Sequence, residues 1–208
     1  EAVCKLAARL LQRAGVRPQV RVTADGKDVP ACEIVRLTDV ENDAIRYVSI
    51  VQDNHVAGVA PQQVIVQFPE AAWLYDVRAK KSLGRGQSVA TELEPGDPKI
   101  FALLPYEVTA VKLTPPAAKV ARGATASFNI AIETGSDTPA GVHCLRIELL
   151  DPKGVVVKHY CQNLLTRQPQ VSFSFDTALN DPPGAWRLRA THIATGATAS
   201  VPFEVQGQ

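Results

Sequence analysis

The chain of 208 residues has no methionine, only 4 cysteines, and aromatic residues at 6 %. Each shortage excludes something. Four cysteines are too few for a fold stapled by disulfides. No Cys-x-x-Cys or His-Glu-x-x-His spacing occurs, so the familiar zinc patterns are missing. No apolar run approaches the roughly 18 residues of a membrane-spanning helix, which speaks against membrane insertion. With a net charge of +1 the chain makes no long-range field of the kind that draws nucleic acid. There is no Gly-x-Ser-x-Gly elbow for a nucleophilic serine. Gly84-Arg-Gly86 lies in a hairpin turn and opens no phosphate-binding helix. The 21 acidic residues fall mostly in turns or on wet strand faces, and no pair placed across a sugar can be singled out among them. The sequence reads as non-enzymatic, with no catalytic residues, no cofactor and no cofactor-binding residues.

What is present is a folded-protein composition, 46 % hydrophobic and 21 % charged. Val3, Leu6, Ala7, Leu10, Leu11 and Ala14 recur at the spacing of one helical face, with Lys5, Arg9, Gln12 and Arg13 opposite. Gly15 then suits a left-handed cap, and Pro18 stops continuation. The chain opens inside this pattern without an initiator methionine, so residues 1–17 are expected to be the end of a preceding domain. Any signal peptide would then lie upstream.

Seven strand-like segments follow: 19–24, 31–38, 44–51, 63–68, 73–77, 87–93 and 99–104. Asp25-Gly26, the Lys/Gly-rich stretch 79–86 and Glu94-Pro-Gly-Asp-Pro98 punctuate them as turns. The 63–68 segment carries apolar residues toward both faces at Val64, Ile65 and Val66. This spacing predicts a β-sandwich over 18–105. Beyond Pro105 the alternation is cleaner: Ala126, Phe128, Ile130 and Ile132; Leu145, Ile147 and Leu149; Val171, Phe173 and Phe175; Trp186, Leu188 and Ala190; Ala199, Val201, Phe203 and Val205. A period of two means one buried and one wet face, so 106–208 is expected to be an immunoglobulin-like sandwich with Trp186 in its core. The fold class is thus all-β: two consecutive antiparallel sandwiches after one amphipathic helix. The join is expected to be rigid, with Pro105 and Tyr106 packed between the domains.

Cys144 and Cys161 flank the turn Asp151-Pro-Lys-Gly154 symmetrically, which invites a cross-strand disulfide. A bulge at the glycine shifts the pairing by one residue, setting Glu148 against Lys158 and Ile147 against His159. That register keeps Leu145, Ile147 and Leu149 on the core side and puts the two thiols on opposite faces. It is the better reading, with Cys4 and Cys32 left without an evident partner.

Candidate binding residues are few. Of His55, His143, His159 and His192, only His143 has a neighbouring ligand type, Cys144, and strand neighbours point to opposite faces. Asp39, Glu41, Asn42 and Asp43 form the one dense acidic cluster, of the oxygen-rich kind that calcium takes, though solvated hairpin loops share that composition. Trp73 and Tyr75 share a strand face that Tyr47 can join, an arrangement on which a sugar could stack. Core packing is the competing use of the same rings.

Two segments carry a family resemblance. Trp73-Leu-Tyr-Asp-Val-Arg-Ala-Lys-Lys-Ser-Leu-Gly84 followed by Leu93-Glu-Pro-Gly-Asp-Pro-Lys-Ile-Phe-Ala-Leu-Leu-Pro105 resembles the small C-terminal β domain of bacterial β-galactosidase-type barrel glycoside hydrolases. The helix ending Ala14-Gly-Val-Arg-Pro18 looks like the close of the amidotransferase-like domain that precedes it there. Gly141-Val-His143, Asp151-Pro-Lys-Gly154 and Leu179-Asn-Asp-Pro-Pro-Gly-Ala-Trp186 are similar to the immunoglobulin-like tail of such proteins. The resemblance implies a non-catalytic accessory region of a larger carbohydrate-active protein, partnered by upstream domains of the same polypeptide. The alternative is a module that binds carbohydrate or adheres to a surface on its own. The family's catalytic acids belong to a barrel that this sequence does not contain. An extracytoplasmic location, periplasmic or secreted, is where the resemblance leans, and unpaired cysteines count against it.

Overall fold

A computed structural model describes residues 2–16, 18–38, 44–56, 58–116, 119–136 and 141–207; within the first helix, nothing is said of the side chains at 2–5, 8 and 12. Among the described residues the first element is α1 (Ala2–Arg13), and every later regular element is a strand, apart from one 3-10 turn. The first strands are β1 (Arg21–Ala24), β2 (Lys27–Asp28), β3 (Cys32–Thr38), β4 (Arg46–Gln52), β5 (Gln62–Asp76), β6 (Lys81–Leu93) and β7 (Lys99–Leu104). Then come β8 (Val108–Thr114), β9 (Val120–Ala121), β10 (Thr125–Thr134), β11 (His143–Leu150), the 3-10 turn Lys158–Tyr160, β12 (Gln162–Thr166), β13 (Gln170–Asp176), β14 (Gly184–His192) and β15 (Thr198–Gln206). The protein is all-β, as its period-two patterning requires.

Strands β1 to β7 form one sheet in the order β2-β1-β5-β7-β4-β3, with β6 also paired to β5. The expected turn at Asp25-Gly26 is present, both residues having positive φ (49° and 75°), which suits the twist of a two-residue hairpin. Three expectations need correction. Segments 63–68 and 73–77 are one continuous strand, β5, of 15 residues. The hairpin that follows also turns earlier than 79–86: Asp76 Oδ1 accepts from Ala79 N–H at 2.9 Å, and β6 has already begun at Lys81. Within 63–68, β5 buries only one face. Val64, Val66 and Phe68 are inside, while Ile65 is exposed.

The chain divides into two compact units, one of Glu1–Ile34, Ile50–Ala71 and Arg85–Pro98, the other of Val35–Ser49, Ala72–Gly84 and Lys99–Gln208. The first unit buries Val20, Val22, Ile50, Val64, Val66, Phe68 and Leu93. It also holds α1, which closes as its sequence implies. Gly15 takes φ 74°, and Val16 N–H reaches back to Leu11 O at 2.9 Å, the six-to-one bond of a glycine-capped helix.

The second unit contains an immunoglobulin-like sandwich. One sheet has the order β13-β10-β8, the other β12-β11-β14-β15-β9. The opening strand is split between them: β8 pairs with β10, and β9 then runs parallel to the end of β15, Val120 opposite Val205. Between the sheets lie Phe128, Ile130, Leu145, Ile147, Leu149, Phe173, Trp186, Leu188 and Phe203, joined in one core by Ile45, Tyr75, Ala102 and Leu104. Trp186 is 1 % exposed, and its indole N–H is satisfied by Pro182 O at 2.9 Å, the cost of burying that donor being met within the adjacent turn.

The β11–β12 connection departs from both registers drawn from the sequence. Leu150 does face Val156, as a one-residue shift requires. The 3-10 turn Lys158–Tyr160 then takes up three residues, so Ile147 faces Gln162 instead of His159 and Cys144 faces Leu165. Glu148 turns to the other neighbouring strand, where Arg189 donates to it at 2.8 Å. Tyr160 drives the detour: its ring packs on Phe175, and its hydroxyl donates to Asp181 Oδ2 at 2.7 Å. Cys144 and Cys161 are free thiols, as is Cys32. At the join, Tyr106 is buried but Pro105 is exposed, which corrects the expectation that both are packed.

Candidate functional site

Of the residues singled out from the sequence, one set lies outside the described residues and the aromatic set is built into or against the core. Asp39, Glu41, Asn42 and Asp43, the calcium-type loop, lie outside the described residues. Tyr75 is 2 % exposed, and its hydroxyl accepts Val108 N–H at 3.1 Å, so its ring has no face open to a ligand. Tyr47 and Trp73 are half-buried against the same core. Burial pushes the Tyr47 hydroxyl up to about 12, with the nearby Cys144 thiol adding to it. His159 is exposed and rests its ring on Tyr160, centroids 4.1 Å apart. No three His, Cys, Asp or Glu side chains among the described residues stand close enough to hold a metal ion.

What the fold assembles instead is a buried chain of four polar side chains in the second unit. Tyr106 Oη lies 3.0 Å from His143 Nε2. His143 Nδ1 lies 2.9 Å from His192 Nε2, and His192 Nδ1 lies 2.9 Å from Thr195 Oγ1. His143 and His192 are 1 % and 0 % exposed.

Each member is placed by a local rule. His143 heads β11, where His143, Leu145, Ile147 and Leu149 all point inward. His192 ends β14 on the inward face of Trp186, Leu188 and Ala190. The β11–β14 register sets Leu145 opposite His192, which leaves His143 diagonal to it and within reach. Thr195 sits in the turn Ala194-Thr195-Gly196, closed by Gly196 N–H to His192 O and His192 N–H to Ala197 O, both at 2.8 Å. Gly196 has φ 76°, and a Cβ built on it would stand 2.4 Å from Lys80 Cβ, so glycine is required twice over. Tyr106 arrives from the connection between β7 and β8.

Three links need three protons, and four neutral groups supply them by donating in one direction. If Tyr106 donates to His143, then His143 donates to His192 and His192 to Thr195; the reverse order works equally well. A single charged imidazole would donate to both neighbours and keep all three links, but it would place an ion where neither ring meets water. Burial accordingly holds His143 below its usual range. Burial first, and the neighbouring His143 second, push His192 down to about 3. Burial also lifts Tyr106 to about 12. The network is a neutral clamp that ties the β7–β8 connection to the β14–β15 turn, and no part of it faces solvent as a catalytic group would.

The histidines were within reach of the sequence. Extending the run Leu145-Ile147-Leu149 one step back reaches His143, and extending Trp186-Leu188-Ala190 one step forward reaches His192. The pairing that joins them could not be read in the same way.

A second feature is open to solvent. A shallow groove of about 420 Å³ crosses the outer face of the β13-β10-β8 sheet. Two rungs form it, Lys112–Ala131–Gln170 and Thr114–Asn129–Ser172, and the small Ala131 makes the hollow. Ser172 donates to Asn129 Oδ1 at 3.0 Å, and Lys112 pairs with Glu133. Its lining is mostly hydroxyl and amide with a single cation, beside the apolar Ile130, Ala131 and Val171.

No protein-family model matches the chain, and no curated protein does. Among solved structures, 57 chains match. One is the crystal structure of the titin domains z1z2 in complex with telethonin, at 13 % identity and a TM-score of 0.30, covering 92 % of this chain and 81 % of that one.

Proposed function

We propose that this chain is a non-catalytic accessory β-sandwich region of a larger carbohydrate-active, glycoside-hydrolase-like protein, and that α1 seats against a neighbouring domain of the same polypeptide. The observation that carries this reading is the bare apolar stripe of α1. Leu6, Leu10 and Leu11 are 59, 56 and 52 % exposed. They fall on one helical face at the spacing that ordinarily packs on a neighbour. Burying such a side chain stabilises by about 1.5–3 kcal/mol, so three left in water mark an unfilled contact. The buried histidines supply rigidity in this reading, and the turn signatures resembling the glycosidase tail point to the kind of parent.

Hydrogen exchange over residues 2–13 tests it, comparing this chain with a longer polypeptide that adds the preceding domain. The expected result is slow exchange in the longer protein and fast exchange here. Equal exchange in both would sink the reading. The groove at Thr114, Asn129, Gln170 and Ser172 favours the alternative, a module that binds carbohydrate by itself, because its hydroxyls and amides match a saccharide's donors and acceptors. Saturable binding on a glycan array, lost in Asn129→Ala, would decide for that alternative.

A further inference from the structure

We propose that β13 is a self-association edge, along which two copies of this chain pair antiparallel about a two-fold axis at Phe173. The inference is independent of the role given to α1. It starts from the sheet order, in which β13 closes one end and, among the described residues, pairs only with β10.

Which backbone groups face the open side follows from two hydrogen bonds at the ends of the ladder. Thr177 N–H donates to Ala124 O at 3.0 Å, and Ile132 N–H donates to Pro169 O at 2.8 Å. With Ala126 opposite Phe175, Phe128 opposite Phe173 and Ile130 opposite Val171, the β10-directed groups belong to residues 171, 173 and 175. Alternate residues of an antiparallel strand direct their N–H and C=O to opposite sides. Those of Gln170, Ser172, Ser174 and Asp176 therefore point to the open edge.

Side chains do not shield them. Ser172 donates to Asn129 Oδ1 at 3.0 Å, Ser174 Oγ lies 2.9 Å from Ser127 Oγ, and Thr125 donates to Asp176 Oδ1 at 2.6 Å. All three thus lean back onto β10.

The usual defences of an edge strand are charge, proline, a bulge or a cover. Edge strand β3 carries Glu33 and Arg36, and β8 carries Lys112. In β13 the run Gln170-Val-Ser-Phe-Ser-Phe175 has no charge and no proline, the strand's one charge being Asp176 at its end, and its register to β10 is unbroken.

The occupant is argued from symmetry. Pairing β13 with its own copy about Phe173 sets Ser172 opposite Ser174, Val171 opposite Phe175, and Gln170 opposite Asp176. The open-side residues 170, 172, 174 and 176 then meet one another, so each free N–H finds a free C=O. Val171 and Phe175, half-buried in one copy, cover each other on the core side, and no like charges stand face to face. An unrelated extended segment would satisfy the backbone equally, but the near-palindrome Val-Ser-Phe-Ser-Phe suits a second copy.

Sedimentation velocity over a wide concentration range, with amide exchange read residue by residue, tests the proposal. The expected result is a reversible monomer–dimer equilibrium in which the Ser172 and Ser174 amides gain protection with concentration, while Val171, Phe173 and Phe175 are protected throughout. Ser172→Pro removes an outward donor without touching the β10 ladder, and Ser174→Lys adds an edge charge. Each is expected to weaken the dimer at least about tenfold, with the folded monomer confirmed by circular dichroism. A chain that stays monomeric throughout overturns the proposal. So does a dimer that survives both substitutions, or one that is lost instead on Leu10→Glu in α1.

Discussion

His143 Nδ1 and His192 Nε2 meet at 2.9 Å on adjacent strands, with neither ring exposed to water. Two imidazoles at that distance share one proton and exclude a second. Several measurable properties of the second unit follow from this contact and from the packing around it.

Acid is expected to weaken the protein in a window set by His192. Its pKa is about 6.5 unfolded and about 3 folded, depressed by burial and by His143. The unfolded chain therefore takes up the proton first. The stabilisation is complete above about pH 6.5 and is lost as pH falls toward about 3, at up to about 1.4 kcal/mol per pH unit. Urea unfolding at a series of pH values would show a fall that begins before the carboxylates titrate. His192→Gln should flatten the upper part of that fall, and an unchanged slope would count against the clamp.

Removing one hydroxyl from the chain should be felt at neutral pH. Tyr106→Phe leaves His143 Nε2 buried without its partner, which costs about 1–3 kcal/mol. The melting temperature should drop, while the far-ultraviolet spectrum stays that of the same fold.

Two glycines with the same backbone but different surroundings separate strain from crowding. Gly84 has φ 79° with open space where a Cβ would go, and Gly196 has φ 76° with Lys80 in the way. Gly84→Ala is expected to cost on the order of 1 kcal/mol. Gly196→Ala should cost clearly more, because the β14–β15 turn must shift away from Lys80 and take Thr195 with it.

Thiol counting checks the β11–β12 detour. Titration of the denatured chain without reductant should find at least three free thiols, those of Cys32, Cys144 and Cys161. A count of two or fewer would mean that at least one of these three is bridged, and a Cys144–Cys161 link found by peptide mapping would show the 3-10 turn to be misplaced.

Trp186 should be the most costly of the single truncations. It is 1 % exposed, stands beside Tyr160 and Phe203, and holds Pro182 O through its indole. Trp186→Ala is expected to destabilise by about 3–5 kcal/mol, whereas Leu10→Ala on the exposed stripe of α1 should change stability little.

The sequence by itself determined the faces. Period-two alternation is a property of residues i and i+2, so the core positions Phe128, Ile147, Leu188 and Phe203 could be named before any strand had a partner. The turn glycines and the cap at Gly15 were legible for the same local reason. Only the tertiary structure decided what lies opposite what. The three residues absorbed by the turn Lys158–Tyr160 moved Cys144 opposite Leu165, and the β11–β14 register brought His143 to His192. Likewise β13 is an edge because, among the described residues, no strand pairs beyond it. Pairing joins residues far apart in the chain through backbone groups that every residue shares, so side-chain pattern alone does not say which partner each strand takes.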